Sequence, residues 1–254
     1  MAVTGREGKT VMQRIWMSPV SGHALWMAVL VAGGLQTASV AKVPGPQTAP
    51  ANTLERPALD IQLERKLADG SVEAVPPTHV FSTGDTIRVH VTSDFDGYLY
   101  VMDQGTSGHF STVFPSLAAG SDNRVHRGQS YLIPSTEDGW FEVSGPAGFD
   151  LLYFLLSPET IVSPTASSFV APGPVSSLKP RCNDAVFRAR GECMDSSAGP
   201  APLPKGESLP APLAPIAQAA SRDITVTKKK DGVTVTSEGS KTAPFIYVFR
   251  LAHN

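Results

Sequence analysis

Between Val80 and Ser157 the chain breaks into short apolar runs separated by Gly, Asp, Asn and Pro. Runs of about four to eight residues closed by such punctuation are too short for ordinary helices and fit strands joined by turns. The clearest is Thr86-Ile87-Arg88-Val89-His90-Val91-Thr92, where Ile87, Val89 and Val91 share one face and Arg88, His90 and Thr92 the other. Tyr98–Met102 and Leu151–Leu156 are apolar on both faces, the pattern of central strands covered on both sides. Phe110–Phe114, Tyr131–Ile133 and Trp140–Val143 read as further strands.

The rest of the chain extends this pattern. Leu59–Arg65 alternates, Asp69-Gly70 is a hairpin signal, and Val72–Val75 returns. Near the end, Asp223–Thr227 and Val233–Thr236 flank Asp231-Gly232, and Phe245–Leu251 is strongly apolar. An isolated hairpin is unstable in water, so this tail is expected to pair with the main sheet. The fold class expected is all-β, a two-layer antiparallel sandwich of about seven to nine strands with Pro-rich excursions.

Residues 1–41 read as a secretory signal peptide. Arg6, Lys9 and Arg14 form the basic region, Ala24–Leu35 the apolar region, and Ser39-Val40-Ala41 the cleavage site. The apolar run is shorter than the roughly 20 residues of a spanning helix. The alternative is membrane anchoring by an uncleaved segment starting near Ile15. The expected location is therefore periplasmic or extracellular. Residues 42–57 are Pro-rich and expected to be disordered, and 58–254 to form one sandwich domain. Within it, 158–220 is a Pro/Ser-rich excursion. Six prolines between Pro200 and Pro215 predict a semi-rigid linker rather than a regular element.

The only cysteines, Cys182 and Cys193, close a twelve-residue loop. In an oxidising compartment such a pair reads as a disulfide. A metal or redox pair is the alternative, but no Cys-x-x-Cys exists and no histidine lies between His126 and His253.

Charge narrows the partners. Removing residues 1–41 leaves 18 basic and 22 acidic residues, which gives no footprint for nucleic acid. Lys228-Lys229-Lys230 reads as the decoration of a hairpin tip, with phospholipid contact as the alternative.

No catalytic constellation, cofactor site or metal site is readable. Asp94-x-Asp96-Gly97 resembles the start of a calcium loop, but its later acidic ligands are missing, and Asp96-Gly97 reads as a tight hairpin turn. Ser107, in Gly105-Thr106-Ser107-Gly108-His109, is the nearest approach to an activated serine, yet no Gly-x-Ser-x-Gly exists. Glu137, Asp138 and Glu142 have no identified partner for glycoside chemistry. Tyr98, Tyr100 and Trp140 are the candidate binding face, with core packing as the competing role.

The order of landmarks resembles a bacterial family known as domain of unknown function 4384. The pattern is Phe81-x-x-Gly84-Asp85, Asp96-Gly97-Tyr98-Leu99-Tyr100, Phe114-Pro115, Asn123, Gly128, Ile133-Pro134 and Gly145-Pro146-x-Gly148. The resemblance implies an exported or envelope-associated protein with an accessory or binding module, and carries over no catalytic residues. The function expected is that of a non-enzymatic envelope protein, a binding or scaffolding module for another envelope protein. The alternatives are a hydrolase assembled from scattered polar residues such as His109 or Asp122, and an accessory subunit of a secretion apparatus.

Overall fold

A computed structural model describes residues 55–136, 139–161, 169–170, 178–203, 209–210 and 213–254. The predicted signal peptide 1–41 and residues 42–54 of the predicted disordered segment lie outside the described residues. The described residues belong to one compact unit, Pro50–Asn254.

Strand formation follows the alternation read from the sequence. β1 (Ala58–Lys66) buries Leu59, Ile61 and Leu63 and turns at Asp69-Gly70 into β2 (Val72–Val75). Asp69 holds that turn by accepting hydrogen bonds from the Ser71 N–H and hydroxyl. After β3 (Val80–Phe81), β4 (Thr86–Ser93) buries Ile87, Val89 and Val91 and lies antiparallel to β1 from Leu59↔Ser93 to Lys66↔Thr86. Burying each of these aliphatic side chains is worth about 1.5–3 kcal/mol. There follow β5 (Gly97–Gln104), β6 (His109–Phe114), β7 (Arg124–Val125), β8 (Ser130–Ile133), β9 (Phe141–Glu142) and β10 (Gly148–Ser157). Next come β11 (Phe169–Val170), α1 (Ala185–Ala189), β12 (Gly199–Ala201) and α2 (Ala214–Ala219). β13 (Ile224–Lys228), β14 (Val233–Ser237) and β15 (Phe245–His253) end the chain.

The strands form two packed sheets, and the fold is an all-β sandwich. The first runs β13-β14-β1-β4-β8, with β2 on β1 and β9 on β4. The second runs β11-β6-β5-β10-β15-β12, with β7 on β5 and β3 on β15. Pairing is antiparallel except for β3 against β15. The sheets thus have seven and eight strands, more than the seven to nine expected in total. The surplus comes mainly from two- and three-residue strands too short to show a period. The tail divides: β13 and β14 extend the first sheet beside β1, while β15 runs through the second beside β10.

Asp96-Gly97 is not the hairpin turn its residues suggest. β4 and β5 belong to different sheets, so the chain crosses the sandwich there. Glycine is required by proximity: a Cβ on Gly97 would lie 2.6 Å from the Ser157 carbonyl oxygen of β10. Gly232 does combine both roles, turning β13 into β14 where a Cβ would come within 2.3 Å of the Ile61 oxygen.

Of the predicted linker, residues 204–208 and 211–212 lie outside the described residues, while both of its ends belong to regular elements. Pro200 sits in β12 at the edge of the second sheet, where a missing N–H is tolerated. Pro215 sits in the first turn of α2, whose leading N–H groups lack helical partners in any case. Leu203, Leu213, Ala217 and Ala220 then pack onto the outer face of the second sheet, against Tyr100, Met102, Tyr153, Leu155, Ile246 and Val248. That cover explains why β5, β10 and β15 are apolar on both faces. Cys182 and Cys193 are disulfide-bonded. Asp184 caps α1 inside their loop, accepting from the Val186 and Phe187 N–H groups.

Candidate functional site: an inter-sheet cavity

Along β5, β10 and β15, the inward phase of the second sheet is apolar until one end of the sandwich. Leu99 and Val101 lead to Asp103; Phe154 and Leu152 lead to Asp150; Phe249 and Leu251 lead to His253. Strand register brings these three polar residues to neighbouring positions, since Asp103 faces Leu152 and Asp150 faces Leu251. A cavity of about 150 Å³ lies beside them, between the sheets. Among the described residues ten that line it are apolar, including Ile87, Val89, Val113, Phe141 and Val143; the other three are Asp103, Asp150 and Glu142. Glu142 comes from β9 of the first sheet and is exposed.

The polar atoms are unequally satisfied. Asp150 Oδ1 accepts the Thr106 N–H at 2.8 Å, and Asp150 Oδ2 lies 3.3 Å from His253 Nε2. That is ion-pair distance without hydrogen-bond alignment, and the His253 ring is wholly buried. Asp103 Oδ1 is buried with no hydrogen-bond partner among the described residues. Burial, and then the charge of Asp150, push the Asp103 carboxyl up to about 7, while His253 pulls it down. A carboxyl displaced this way beside an apolar cavity is a mark of functional sites as well as of structural networks. The position a Cβ would take on Gly105 is 3.6 Å from Asp150 Oδ1, 3.8 Å from Asp103 Oδ2 and 3.9 Å from Ser107 Oγ. The turn between β5 and β6 therefore folds beside the carboxyl pair.

The residues singled out from sequence are placed elsewhere or otherwise engaged. Tyr98, Tyr100 and Trp140 do not form one face. Tyr98 and Tyr100 belong to the cluster outside the second sheet. The Tyr100 hydroxyl donates to the Ile161 oxygen and accepts from the Ile161 N–H, pinning the segment after β10. Trp140 lies on the outer side of the first sheet, 4.4 Å from the Arg88 guanidinium and 5.8 Å from Lys66 Nζ. There Arg88 Nε donates to Glu64 at 2.6 Å, and His90 Nε2 lies 2.9 Å from the same carboxylate.

Asp94 and Asp96 do not converge on an ion. Asp94 accepts the Ala58 N–H and pairs with Lys241, while Asp96 accepts the Arg127 N–H and faces His126. Among the described residues no group of three or more His, Cys, Asp or Glu is placed to hold a metal ion. Ser107 is exposed, and no hydrogen bond joins its hydroxyl to His253. Asp122 accepts the Arg124 N–H in its own loop. Glu137 and Asp138 lie outside the described residues. Lys229 pairs with Asp60 at 2.7 Å across the tail hairpin.

Sequence reading missed Asp103 and Asp150 and noted His253 only for its distance from other histidines. Carrying the two-residue period one step past Val101, Leu152 and Leu251 finds all three.

No described helix is long and apolar enough to cross a membrane. Searches of curated proteins and of solved structures gave no significant match. Residues 80–160, from β3 through β10, match the family model described as domain of unknown function (DUF4384), so the resemblance seen in the landmark residues holds across the strands that supply both Asp103 and Asp150.

Proposed function

We propose that this chain is an exported, non-enzymatic binding module of the bacterial envelope, serving another envelope component. The observation that supports binding over chemistry is the cavity wall. It offers ten apolar side chains and three carboxylates. Among the described residues no hydrogen bond joins the nearby hydroxyl of Ser107 to a base, as an activated serine requires. The Cys182–Cys193 disulfide fits the oxidising compartment that export implies.

The test is crosslinking in living cells with a C-terminally tagged copy, followed by mass spectrometry. A reproducible envelope partner supports the reading and supplies its pathway. Retention of the protein in the cytoplasm contradicts it.

A second reading, a hydrolase with scattered residues, has one observation in its favour. Asp103, Asp150 and His253 come from three strands and meet at one end. Asp150→Asn and His253→Gln would then abolish an activity while leaving the fold intact. Complete burial of His253 favours binding, because a general base must reach its substrate's proton.

A further inference from the structure

We propose that the inter-sheet cavity binds a small organic cation, a compact apolar group of about benzene size joined to an ammonium head that pairs with the Asp103 carboxylate. This rests on the binding reading above and names the class of ligand.

Size sets the apolar part. An apolar cavity of about 150 Å³ takes up benzene in another protein, and the volume here is the same. Ile87, Val89, Val113, Phe141, Val143 and Leu152 supply the matching wall.

Charge sets the head group. Three carboxylates border the cavity, and among the described residues no Lys or Arg lines it. Asp150 already has the Thr106 N–H and the nearby His253 ring. Asp103 has no such donor at Oδ1 among the described residues. A carboxylate with one oxygen buried and unpaired is costly, and a ligand that brings a positive charge to it offsets that cost. An anionic ligand would add a further negative charge, and a neutral hydrocarbon would leave Asp103 unpaired. Exposed Glu142 sits on the first-sheet side and favours entry of a cation.

The protonation behaviour follows. The groups facing Asp103 are Asp150 on β10, His253 on β15 and Glu142 across the cavity on β9. An ammonium head prefers the ionised Asp103, so affinity rises as pH passes upward through about 7.

The test uses benzylamine, benzyl alcohol and benzoate as probes, titrated into the purified protein while backbone amide shifts are followed by NMR. Benzylamine is expected to move the amides of β5, β10 and β15 and to bind about tenfold tighter than benzyl alcohol at about pH 8. That preference should shrink at about pH 5, and benzoate should not bind. Asp103→Asn is expected to erase the amine preference while keeping alcohol binding, which also reports that the cavity is intact. Glu142→Gln, at an exposed position, should weaken the amine by about two- to threefold. Equal binding of amine and alcohol, unaffected by Asp103→Asn, overturns the cation assignment but leaves the cavity as a binding site. Silence from all three probes overturns the assignment and the cavity's place in the binding reading together, whatever partner crosslinking finds.

Discussion

The two ends of the inter-sheet core use the same strands to different effect. At one end Leu99, Leu156 and Phe245 close the sandwich, and Phe245 stacks on Tyr247 with ring centroids 6.1 Å apart. At the other, the inward positions become Asp103, Asp150 and His253, and a cavity remains. The closed end puts area out of water and gains stability. The open end forgoes that gain and adds the cost of a buried carboxyl. Proteins retain such costs mainly where function uses them.

That contrast can be broken most forcefully at the closed end. Phe245→Ala is expected to lower the unfolding free energy by about 3–5 kcal/mol, read by urea denaturation. Leu213→Ala should cost about 2–4 kcal/mol, because Leu213 belongs to the cover and is wholly buried against the second sheet. A loss near zero would make that cover a loose appendage.

His79 gives a pH-dependent comparison. Burial, then the Arg65 charge, depress its imidazole from 6.5 to about 4. A base with a lowered folded pKa favours the neutral native form. Its contribution is therefore present above about 6.5 and lost as pH falls toward 4. His79→Leu should flatten the acid side of the stability profile between those values. An unchanged acid limb would place the titration elsewhere.

The smallest expected effect sharpens the closed end. The Tyr247 hydroxyl is buried without a hydrogen-bond partner among the described residues. Tyr247→Phe should be neutral or stabilise by up to about 1 kcal/mol, measured by the same denaturation. A clear loss would mean the hydroxyl is satisfied by water.

How much of this was legible depended on range. The alternation of Leu59, Ile61 and Leu63 and of Ile87, Val89 and Val91 specified which faces turn inward. Asp69-Gly70 and Asp231-Gly232 marked real hairpins. Local pattern says nothing of which sheet the next strand joins, so Asp96-Gly97 looked like a hairpin and is a crossing. Proline content hid the cover of the second sheet, because Pro200 and Pro215 occupy positions where a lost N–H costs little. The aromatic residues Tyr98, Tyr100 and Trp140 drew attention by type, yet topology separates them. Asp103, Asp150 and His253 are ordinary singly and become a group only through the register of three strands distant in sequence.

The most direct test of the costly open end is the unfolding free energy of the protein and of Asp103→Asn, followed from about pH 4 to pH 8. The Asp103 pKa is raised from 3.8 to about 7 in the folded state. A raised acid costs nothing where both states are protonated. The cost grows as pH climbs through that interval and is full above it. The variant should therefore gain on the parent with rising pH, by on the order of 2–4 kcal/mol in all. A difference that stays flat across the range would contradict the account, showing that Asp103 is paired or solvated and that the open end stores no cost for a ligand to relieve.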